Sequence, residues 1–194
     1  MASGFSKRMG KPKLLLPYKG KTMVRHVIDE SIKSRLSGMV VVINPGIVEL
    51  RNEVSRSYVS KLVFNEHAEQ GMSTSLKAGV MNLPLKIDAA VVLLGDQPLV
   101  SSDDIDAVIR CYESNEVSLI VQARYQSKRG HPVLFDCSMF PHLLNVTGDE
   151  GARSVLKTFS NKIRFASIDK PFPGDIDTPE DYEHLLWKEV SLNE

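Results

Sequence analysis

The sequence predicts an α/β fold of three layers, in which helices cover both faces of a doubly wound, mostly parallel sheet. Strand-like and helix-like apolar patterns alternate along its 194 residues. The runs at 39–43 and 89–94 are continuously apolar, which is typical of strands covered on both faces. No repeat or long linker divides the sequence, so we expect one domain over residues 1–194, with ligands at the carboxyl ends of the strands.

The first half of the chain carries the signals of alternating helices and strands. Thr22 can cap a helix that begins at Met23, and Val24, Val27 and Ile28 form its apolar stripe. The elements expected in this half are a helix over about 23–34, a strand over 39–43, a helix over about 47–57, a strand over 61–65 and a helix that opens within 69–76.

In the second half, two helix starts have clear sequence signals. Residues 101–104, Ser-Ser-Asp-Asp, form a capping box for a helix that ends near Ser114. Pro179 stands at the first position of the last helix, and Glu180 and Asp181 place negative charge in its first turn. The other elements expected here are strands over 89–94, 118–123, 130–135 and 163–168, and helices around 138–144 and 152–159.

The composition argues against several classes of partner. Lys plus Arg and Asp plus Glu number 24 each, so no net charge attracts nucleic acid or an anionic membrane. The aromatic residues do not alternate with basic ones, and no apolar run approaches the ~20 residues of a membrane span. Cys111 and Cys137 have no metal-ligand spacing. We therefore expect a cytoplasmic protein with free thiols and no nucleic-acid or membrane partner.

The loop at residues 3–13 combines two glycines with basic side chains. Gly4 and Gly10 allow the backbone to approach a ligand closely, and successive N–H groups can form an anion-binding nest. Arg8 and Lys13 add mobile positive charge, so polyphosphate is the expected ligand. A solvated basic loop is the alternative, and Pro12 excludes a Walker motif because Ser or Thr is needed there. We expect Lys13 to be exposed and to contribute little to stability.

Three acids lie at positions suited to a metal ion. Asp96 follows Gly95, where the most hydrophobic strand ends, and a carboxylate there can hold Mg²⁺ against phosphate oxygens. Its alternative role is to cap the next turn. Asp175 and Asp177 are so close in sequence that they repel each other unless a cation lies between them or both stay solvated.

Separated segments resemble, in order, the motifs of the MobA-like nucleotidyltransferases, a family that includes the enzymes that add CMP or GMP to molybdopterin. Residues 1–13 are similar to its L-A-A-G-x-S-x-R-M-G-x-x-K signature. The other similar segments are Gln70–Leu76 (Q-G-M-x-x-S-L), Gly95–Pro98, Gly130–Pro132 (G-H-P), Gly148–Arg153 (G-D-x-G-A-R) and Asp175–Asp181 (D-I-D-T-P-E-D). Together they span nearly the whole chain.

The resemblance implies a fold like that of the nucleotide-diphospho-sugar transferases and a role for each motif. It implies that Asp96 and Asp177, rather than Asp175, hold Mg²⁺, and that Arg8 and Lys13 act on the reacting phosphates. The implied nucleotide-binding residues are Ala2, Ser3, Gly4, Gly10, Lys13, Gln70, Gly71, Ser73 and Ser75, and the implied acceptor-binding residues are Gly130, His131, Pro132 and Arg153. If the resemblance is set aside, His131 is interpreted as a structural residue before proline, and Arg153 is interpreted as a surface ion-pair partner.

The activity that the resemblance implies is transfer of a nucleotidyl group from an NTP to a phosphorylated acceptor, with release of pyrophosphate. Leu16-Pro17 and Gly95–Pro98 favour the molybdenum cofactor cytidylyltransferase, or MocA-like, branch, with CTP as donor and the molybdopterin cofactor as acceptor. Ser3 departs from the signatures of both branches, so the choice of base stays open. Two alternatives remain: a sugar-phosphate or isoprenoid-precursor nucleotidyltransferase, and a non-catalytic factor that delivers the cofactor to a molybdenum hydroxylase.

The family places a buried strand directly before the phosphate loop, and here that strand would have to precede Met1. We therefore expect the sheet to lack its first strand and to show a gap or an unpaired strand edge beside residue 1. Buried backbone N–H and C=O groups are rarely left unpaired, so such a gap should be a distinct feature of the fold.

Overall fold

Strands and helices alternate along the described part of the chain, which comprises residues 1–4, 9–56, 59–114, 118–126 and 128–190 of the computed structural model. The strands are β1 (Pro17–Tyr18), β2 (Lys21–Thr22), β3 (Val40–Ile43), β4 (Lys61–Phe64), β5 (Ala89–Val92), β6 (Ile120–Arg124), β7 (Arg129–Asp136) and β8 (Ile163–Ser167). The helices are α1 (Met23–Lys33), α2 (Val48–Ser55), α3 (Met72–Met81), α4 (Ser102–Glu113), α5 (Phe140–Leu144), α6 (Arg153–Thr158) and α7 (Pro179–Val190).

The central strands form two groups. β3 and β4 pair in parallel, and β5, β7, β6 and β8 follow one another in the second group. β6 and β8 are parallel, whereas β7 is antiparallel to both of its neighbours, β5 and β6. Apart from these, β1 and β2 form a short antiparallel hairpin. The apolar pattern does not predict this hairpin, because each of its strands has only two residues.

Met1 and Ala2 join the two groups of strands. Ala2 forms a parallel bridge to β3, and its N–H donates to the carbonyl of Val42 at 2.8 Å. On the other side, the Met1 amine donates to the carbonyl of Leu93 at 2.7 Å, and the N–H of Gly95 donates back to Met1 at 2.9 Å. This alternation is that of a parallel strand between two neighbours. All central strands except β7 therefore run in one direction, and the predicted mostly parallel α/β fold is confirmed.

On the side of Met1 that faces away from the glycine loop, β3 and β5 lie on opposite sides of a gap. The gap is a largely apolar cavity of about 590 Å³, and Val40, Val42 and Val91 are among the residues that line it. β3 is paired with β4, and β5 is paired with β7. Within the described residues, the two facing edges therefore have no strand partner beyond Met1 and Ala2. The expected gap beside residue 1 is confirmed.

The side chains of β6 and β7 alternate between two apolar faces. Ile120 and Phe135 pack on one face with residues of α3, α5 and α6. Val121 and Leu134 pack on the other face, against residues of α4 such as Val108. Helices therefore cover both sides of the sheet, as the continuous apolar runs predict. No helix in the described part of the chain combines the length and apolar character needed to cross a bilayer.

Local sequence signals set several helix ends as predicted. Thr22 caps α1, because its hydroxyl accepts a hydrogen bond from the N–H of Arg25 at 3.3 Å. Ser101 and Asp104 form the predicted capping box of α4, and Pro179 begins α7. The carboxyl ends of β3, β4 and β5 and the start of α7 lie at one edge of the sheet, where the polar residues described next are found.

Candidate functional site

Lys13, Asp96 and Asp177 meet at the carboxyl edge of the sheet. Asp96 lies after β5, Asp177 lies just before α7, and Lys13 begins a 3₁₀ turn after the glycine loop. The Nζ atom of Lys13 is 2.6 Å from Oδ2 of Asp96 and 2.7 Å from Oδ1 of Asp177. Both carboxylates therefore face one position of the size of a single cation. The structure brings the two predicted metal ligands together.

The expectation that Lys13 is an exposed, mobile charge is wrong. Its side chain is 11% exposed and contacts both carboxylates. Burial by itself disfavours the ammonium, but the charges and hydrogen bonds of Asp96 and Asp177 outweigh it and raise the pKa of Lys13. Lys13 therefore stays protonated and supplies the positive charge that keeps the two acids together. The local sequence cannot show this, since the acids lie 83 and 164 residues further along the chain.

The oxygen atoms of this cluster fit a hard divalent cation. No cluster of three or more acids, histidines or cysteines surrounds one position among the described residues. Mg²⁺, however, keeps several waters and takes only one or two carboxylates together with phosphate oxygens. Oδ1 of Asp96 is buried and has no hydrogen-bond partner within the described part of the chain, which leaves an acceptor for a cation. Asp96 and Asp177 can therefore hold Mg²⁺ in place of the Lys13 ammonium.

A second polar pair lies beside these acids. The side-chain amide nitrogen of Gln97 donates to Oδ1 of Asp175 at 2.6 Å, and Gln97 is 1% exposed. The pKa of Asp175 is raised, first by burial of its carboxyl group and then by the charge of Asp96. The two acids of the 175–177 segment thus have different partners, since Asp175 contacts Gln97 and Asp177 contacts Lys13.

Ser3 connects the start of the glycine loop to α3. Ala2 and Ser3 are buried, and the hydroxyl of Ser3 shares a hydrogen bond with the hydroxyl of Ser75. Asn65, which directly follows β4, donates to the same hydroxyl of Ser75 at 2.9 Å. Two predicted nucleotide-binding residues, Ser3 and Ser75, therefore meet at the carboxyl edge of the sheet, and the buried amide of Asn65 holds Ser75 in place.

Both glycines of the loop are exposed to solvent, and no atom of the described residues lies within 4 Å of the position that a Cβ would take at either of them. Gly10 has a φ of +63°, a left-handed conformation that favours glycine over other residues. Arg8, the predicted catalytic arginine, lies outside the described residues. The described ends of the loop thus leave open space beside Gly4 for a ligand.

Gly71 lets the start of α3 pack closely on the loop at 148–151. Its φ is +106°, and a Cβ at this position would lie 2.6 Å from the carbonyl oxygen of Gly148, so a side chain does not fit. On either side of it, Gln70 is exposed to solvent and Ser73 is buried. The predicted nucleotide segment and the loop that resembles the acceptor motif are therefore in direct contact.

The residues of the G-H-P motif lie in β7. Gly130 packs so closely on the ring of Phe172 that a Cβ at this position would overlap the ring. The bond between His131 and Pro132 is cis, and the carbonyl of His131 accepts a hydrogen bond from the hydroxyl of Tyr125 at 2.8 Å. Burial lowers the pKa of His131 to about 4, although part of the residue still reaches solvent. The imidazole is therefore neutral at pH 7.

Arg153 begins α6 and is exposed to solvent. Burial and then the charge of the Met1 amine have the largest effects on the pKa of His131, and both lower it. Of the smaller effects, the charge of Asp96 raises this pKa and the charge of Arg153 lowers it. Asp96 and Arg153 therefore both lie within electrostatic range of this imidazole. Val133 of β7 pairs with Val92 of β5 in antiparallel register, so residues 130–132 lie at the carboxyl end of β5, the end that Asp96 follows.

Two residues of the site are not among those predicted from the sequence. Asn65 fixes Ser75, and Gln97 contacts Asp175. Both are buried polar residues at or just after the end of a predicted strand. Because ligands of parallel sheets bind at that edge, a polar residue in this position is the signal that could have identified them.

Comparison with known sequences identifies relatives over nearly the whole chain. The profile of the MobA-like NTP transferase domain matches residues 1–164. Over 201 residues the chain is 31% identical to the purine catabolism protein PucB of Bacillus subtilis, covering 94% of this chain and 92% of PucB. Over 193 residues it is 27% identical to nicotine blue oxidoreductase of Paenarthrobacter nicotinovorans, covering 96% and 94% of the two chains.

The fold is similar to that of a mycobacterial protein of known structure. Rv0371c from Mycobacterium tuberculosis H37Rv superposes with a TM-score of 0.84 at 25% identity, and the alignment covers 96% of this chain and 95% of that one. A complex of Rv0371c with manganese superposes with a TM-score of 0.79.

Proposed function

The chain belongs to the MobA-like NTP transferase family, and on this premise we propose that it transfers CMP from CTP to the molybdopterin cofactor, with Mg²⁺, and releases pyrophosphate. The names of PucB and nicotine blue oxidoreductase point to different processes, so the proposal rests on the site itself. The observation that carries it is the pair of carboxylates, Asp96 and Asp177, which face one cation position beside the glycine loop. The cytidylyl-like segments Leu16-Pro17 and Gly95–Pro98 support CTP as donor.

The proposed reaction needs no nucleophile from the protein. A phosphate oxygen of the acceptor attacks the α-phosphorus of CTP in line, a new P–O bond forms, and the bond to the bridging oxygen of the β-phosphate breaks. Negative charge grows on the oxygens around the α-phosphorus and on the leaving pyrophosphate. The N–H groups of the glycine loop, Arg8 and Lys13 oppose that charge. Asp96 and Asp177 would hold Mg²⁺, which would supply further positive charge for the phosphate oxygens.

In this proposal Lys13 exchanges one set of anionic partners for another. Its ammonium lies between Asp96 and Asp177 in the structure. A divalent cation held by these acids would repel the like-charged ammonium from that position. The glycine loop precedes Lys13 directly, so the triphosphate offers new partners within reach of the side chain. A charge-assisted contact of this kind contributes roughly 1.5–3 kcal/mol.

The acceptor is proposed to bind on the side of β7 and α6. Arg153 is exposed there, and the loop at 148–151 contacts α3. A guanidinium can bind a phosphate group through two parallel hydrogen bonds, so Arg153 is suited to the acceptor phosphate. Neutral His131 and buried Pro132 shape the strand beneath it.

A screen of the four NTPs with molybdopterin and Mg²⁺, monitored by pyrophosphate release, tests the proposal. We expect release with CTP and a CMP-modified product, and little release with the other three nucleotides. Parallel reactions contain a sugar 1-phosphate or a phosphorylated isoprenoid precursor as acceptor. Pyrophosphate release only with one of these acceptors would overturn molybdopterin as the substrate. Tight binding of the cofactor without any release would indicate a delivery factor.

Substitution of the acids tests the metal site in the same assay. Asp96→Asn keeps the shape of the side chain but removes a charge, so we expect turnover to fall by roughly two or more orders of magnitude while the fold survives. Asp177→Asn should have a smaller effect, because the resembling family motif also occurs with Asn there. Asp88→Asn is the matched control, since Asp88 is exposed at the opposite end of β5. Equal loss of turnover in Asp88→Asn and Asp96→Asn would exclude a specific role for Asp96.

A further inference from the structure

The hydrogen bond between Gln97 and Asp175 lies next to both proposed metal ligands. Gln97 directly follows Asp96, and Asp175 lies on the same short segment as Asp177. We propose that Gln97 is a positioning residue for the metal site, because its hydrogen bond to Asp175 holds the carboxylate of Asp177 opposite Asp96. This inference rests on the proposed role of Asp96 and Asp177 as metal ligands.

The surroundings of Gln97 indicate that its bond to Asp175 is the reason for a polar residue here. Gln97 is 1% exposed, and its amide nitrogen donates to Oδ1 of Asp175 at 2.6 Å. The amide oxygen is buried and has no partner among the described residues. A buried polar atom without a partner is costly, and an apolar side chain of the same length would avoid that cost. The donated bond is therefore the contact that distinguishes glutamine from an apolar residue at this position.

The segment at 175–177 couples the position of Asp175 to that of Asp177. The N–H of Ile176 donates to the carbonyl of Asp96 at 3.0 Å, and the side chain of Ile176 is buried. Asp175 and Asp177 are the chain neighbours of Ile176, so the backbone that is fixed at Ile176 carries both carboxylates. Displacement of Asp175 therefore also displaces Asp177. The carboxylate of Asp177 is the one that faces Asp96 across the Lys13 ammonium.

Asp175 would have a different role if it acted through its charge, as a third metal ligand. No position is surrounded by three acids in the part of the chain that the structure describes. The observed partner of Asp175 is a neutral amide, which needs only an acceptor oxygen. The two roles predict different results for a variant that loses the charge and keeps the oxygen, and Asp175→Asn is that variant.

Binding of Mn²⁺ alone to the full chain, measured by electron paramagnetic resonance without nucleotide, tests the inference. Partners that orient metal ligands typically change metal affinity about 10- to 100-fold, so we expect Gln97→Met and Asp175→Ala each to weaken Mn²⁺ binding at least about tenfold. The double variant should bind no more weakly than either single variant, because both remove the same bond. Asp175→Asn should stay within about threefold of wild type, because the Asn side chain keeps the oxygen that accepts the hydrogen bond from Gln97.

The metal dependence of turnover gives a second result that a loss of folding would not reproduce. Gln97→Met should need more Mn²⁺ for half-maximal pyrophosphate release, and saturating Mn²⁺ should restore kcat. The inference would be overturned if Asp175→Asn bound Mn²⁺ as weakly as Asp175→Ala. It would also be overturned if Gln97→Met bound Mn²⁺ as tightly as the wild-type chain, or if the wild-type chain bound no Mn²⁺. Pyrophosphate release by the wild-type chain decides the proposed function separately, because the comparison of Mn²⁺ binding between variants needs no turnover.

Discussion

At the scale of single residues, Lys13 occupies the position that the proposed metal ion would take between two carboxylates. Lys13→Met removes the ammonium that lies between Asp96 and Asp177, so we expect the free energy of unfolding to fall by on the order of 2 kcal/mol, between the values for exposed and buried ion pairs. The affinity for Mn²⁺ should rise at least about tenfold, because the competing ammonium is gone and the metal relieves the repulsion. Thermal unfolding with and without Mn²⁺, together with a Mn²⁺ titration, measures both effects.

The control for this prediction is Lys11→Met, which removes an exposed lysine from the same loop. Neither stability nor Mn²⁺ affinity should change in that variant. If Lys13→Met bound Mn²⁺ with the affinity of the wild-type chain, lysine and metal would not share one position.

The buried imidazole of His131 makes the stability of the domain depend on pH in a defined window. Its pKa is about 4 in the folded protein and 6.5 in an unfolded chain. The unfolded chain therefore binds a proton below pH 6.5 that the folded protein does not accept, and stability is lost as the pH falls from 6.5 towards 4. The full loss is roughly 3 kcal/mol. His131→Asn should remove this contribution, so the difference in stability between the two chains should narrow as the pH falls.

Urea unfolding of wild type and His131→Asn at pH 7.5 and at pH 4.5 measures how far the difference in stability between them narrows. The carboxylates of the protein also titrate near pH 4, but they are common to both chains and cancel in the comparison. Parallel pH profiles for His131→Asn and wild type would show that burial of the imidazole does not control this window.

Some residues of the site could be predicted from the sequence and others could not. Asp96 and Asp177 lie beside the ends of predicted elements, where parallel sheets bind ligands, so their position alone is informative. The burial of Lys13 depends on acids that are far away in sequence, and a loop rich in glycine and lysine is hydrophilic at the local level. The bond between Gln97 and Asp175 likewise spans 78 residues. Contacts of this kind arise from tertiary packing, which the local pattern does not contain.

At the scale of elements, apolar runs and helix caps predict which segments are strands and helices but not how every strand is oriented. The run at 130–135 is apolar on both faces, and such a run has the same pattern whether it lies parallel or antiparallel to its neighbours. The structure resolves this ambiguity, because β7 lies between β5 and β6 and is antiparallel to both.

The gap between β3 and β5 leads to a prediction about stability. A chain lengthened before Met1 by about five apolar, β-branched residues can continue the path of Met1 and Ala2 between the two edges. Burial of these side chains, together with the backbone hydrogen bonds to both strand edges, outweighs the entropy lost on ordering the added residues, so we expect a gain of roughly 3 kcal/mol, or about 6–12 °C in Tm. Differential scanning calorimetry measures the shift.

An extension of the same length made of glycine and serine is the control for the lengthened chain. It offers backbone groups but no apolar side chains, so Tm should change little. If both extensions raised Tm equally, the cavity would not be the place where the added residues are bound.

At the scale of the whole molecule, the site links the beginning, the middle and the end of the chain. Lys13 and Asp96 are 83 residues apart, and Lys13 and Asp177 are 164 residues apart. A metal–nucleotide complex bound among them would act as a non-covalent cross-link, because detachment of either terminal segment would release it. By mass action, a ligand at 100 times its Kd adds about 2.7 kcal/mol to the cost of that detachment. Substrate would therefore protect the glycine loop and α7 from proteases together, although the two segments are at opposite ends of the sequence.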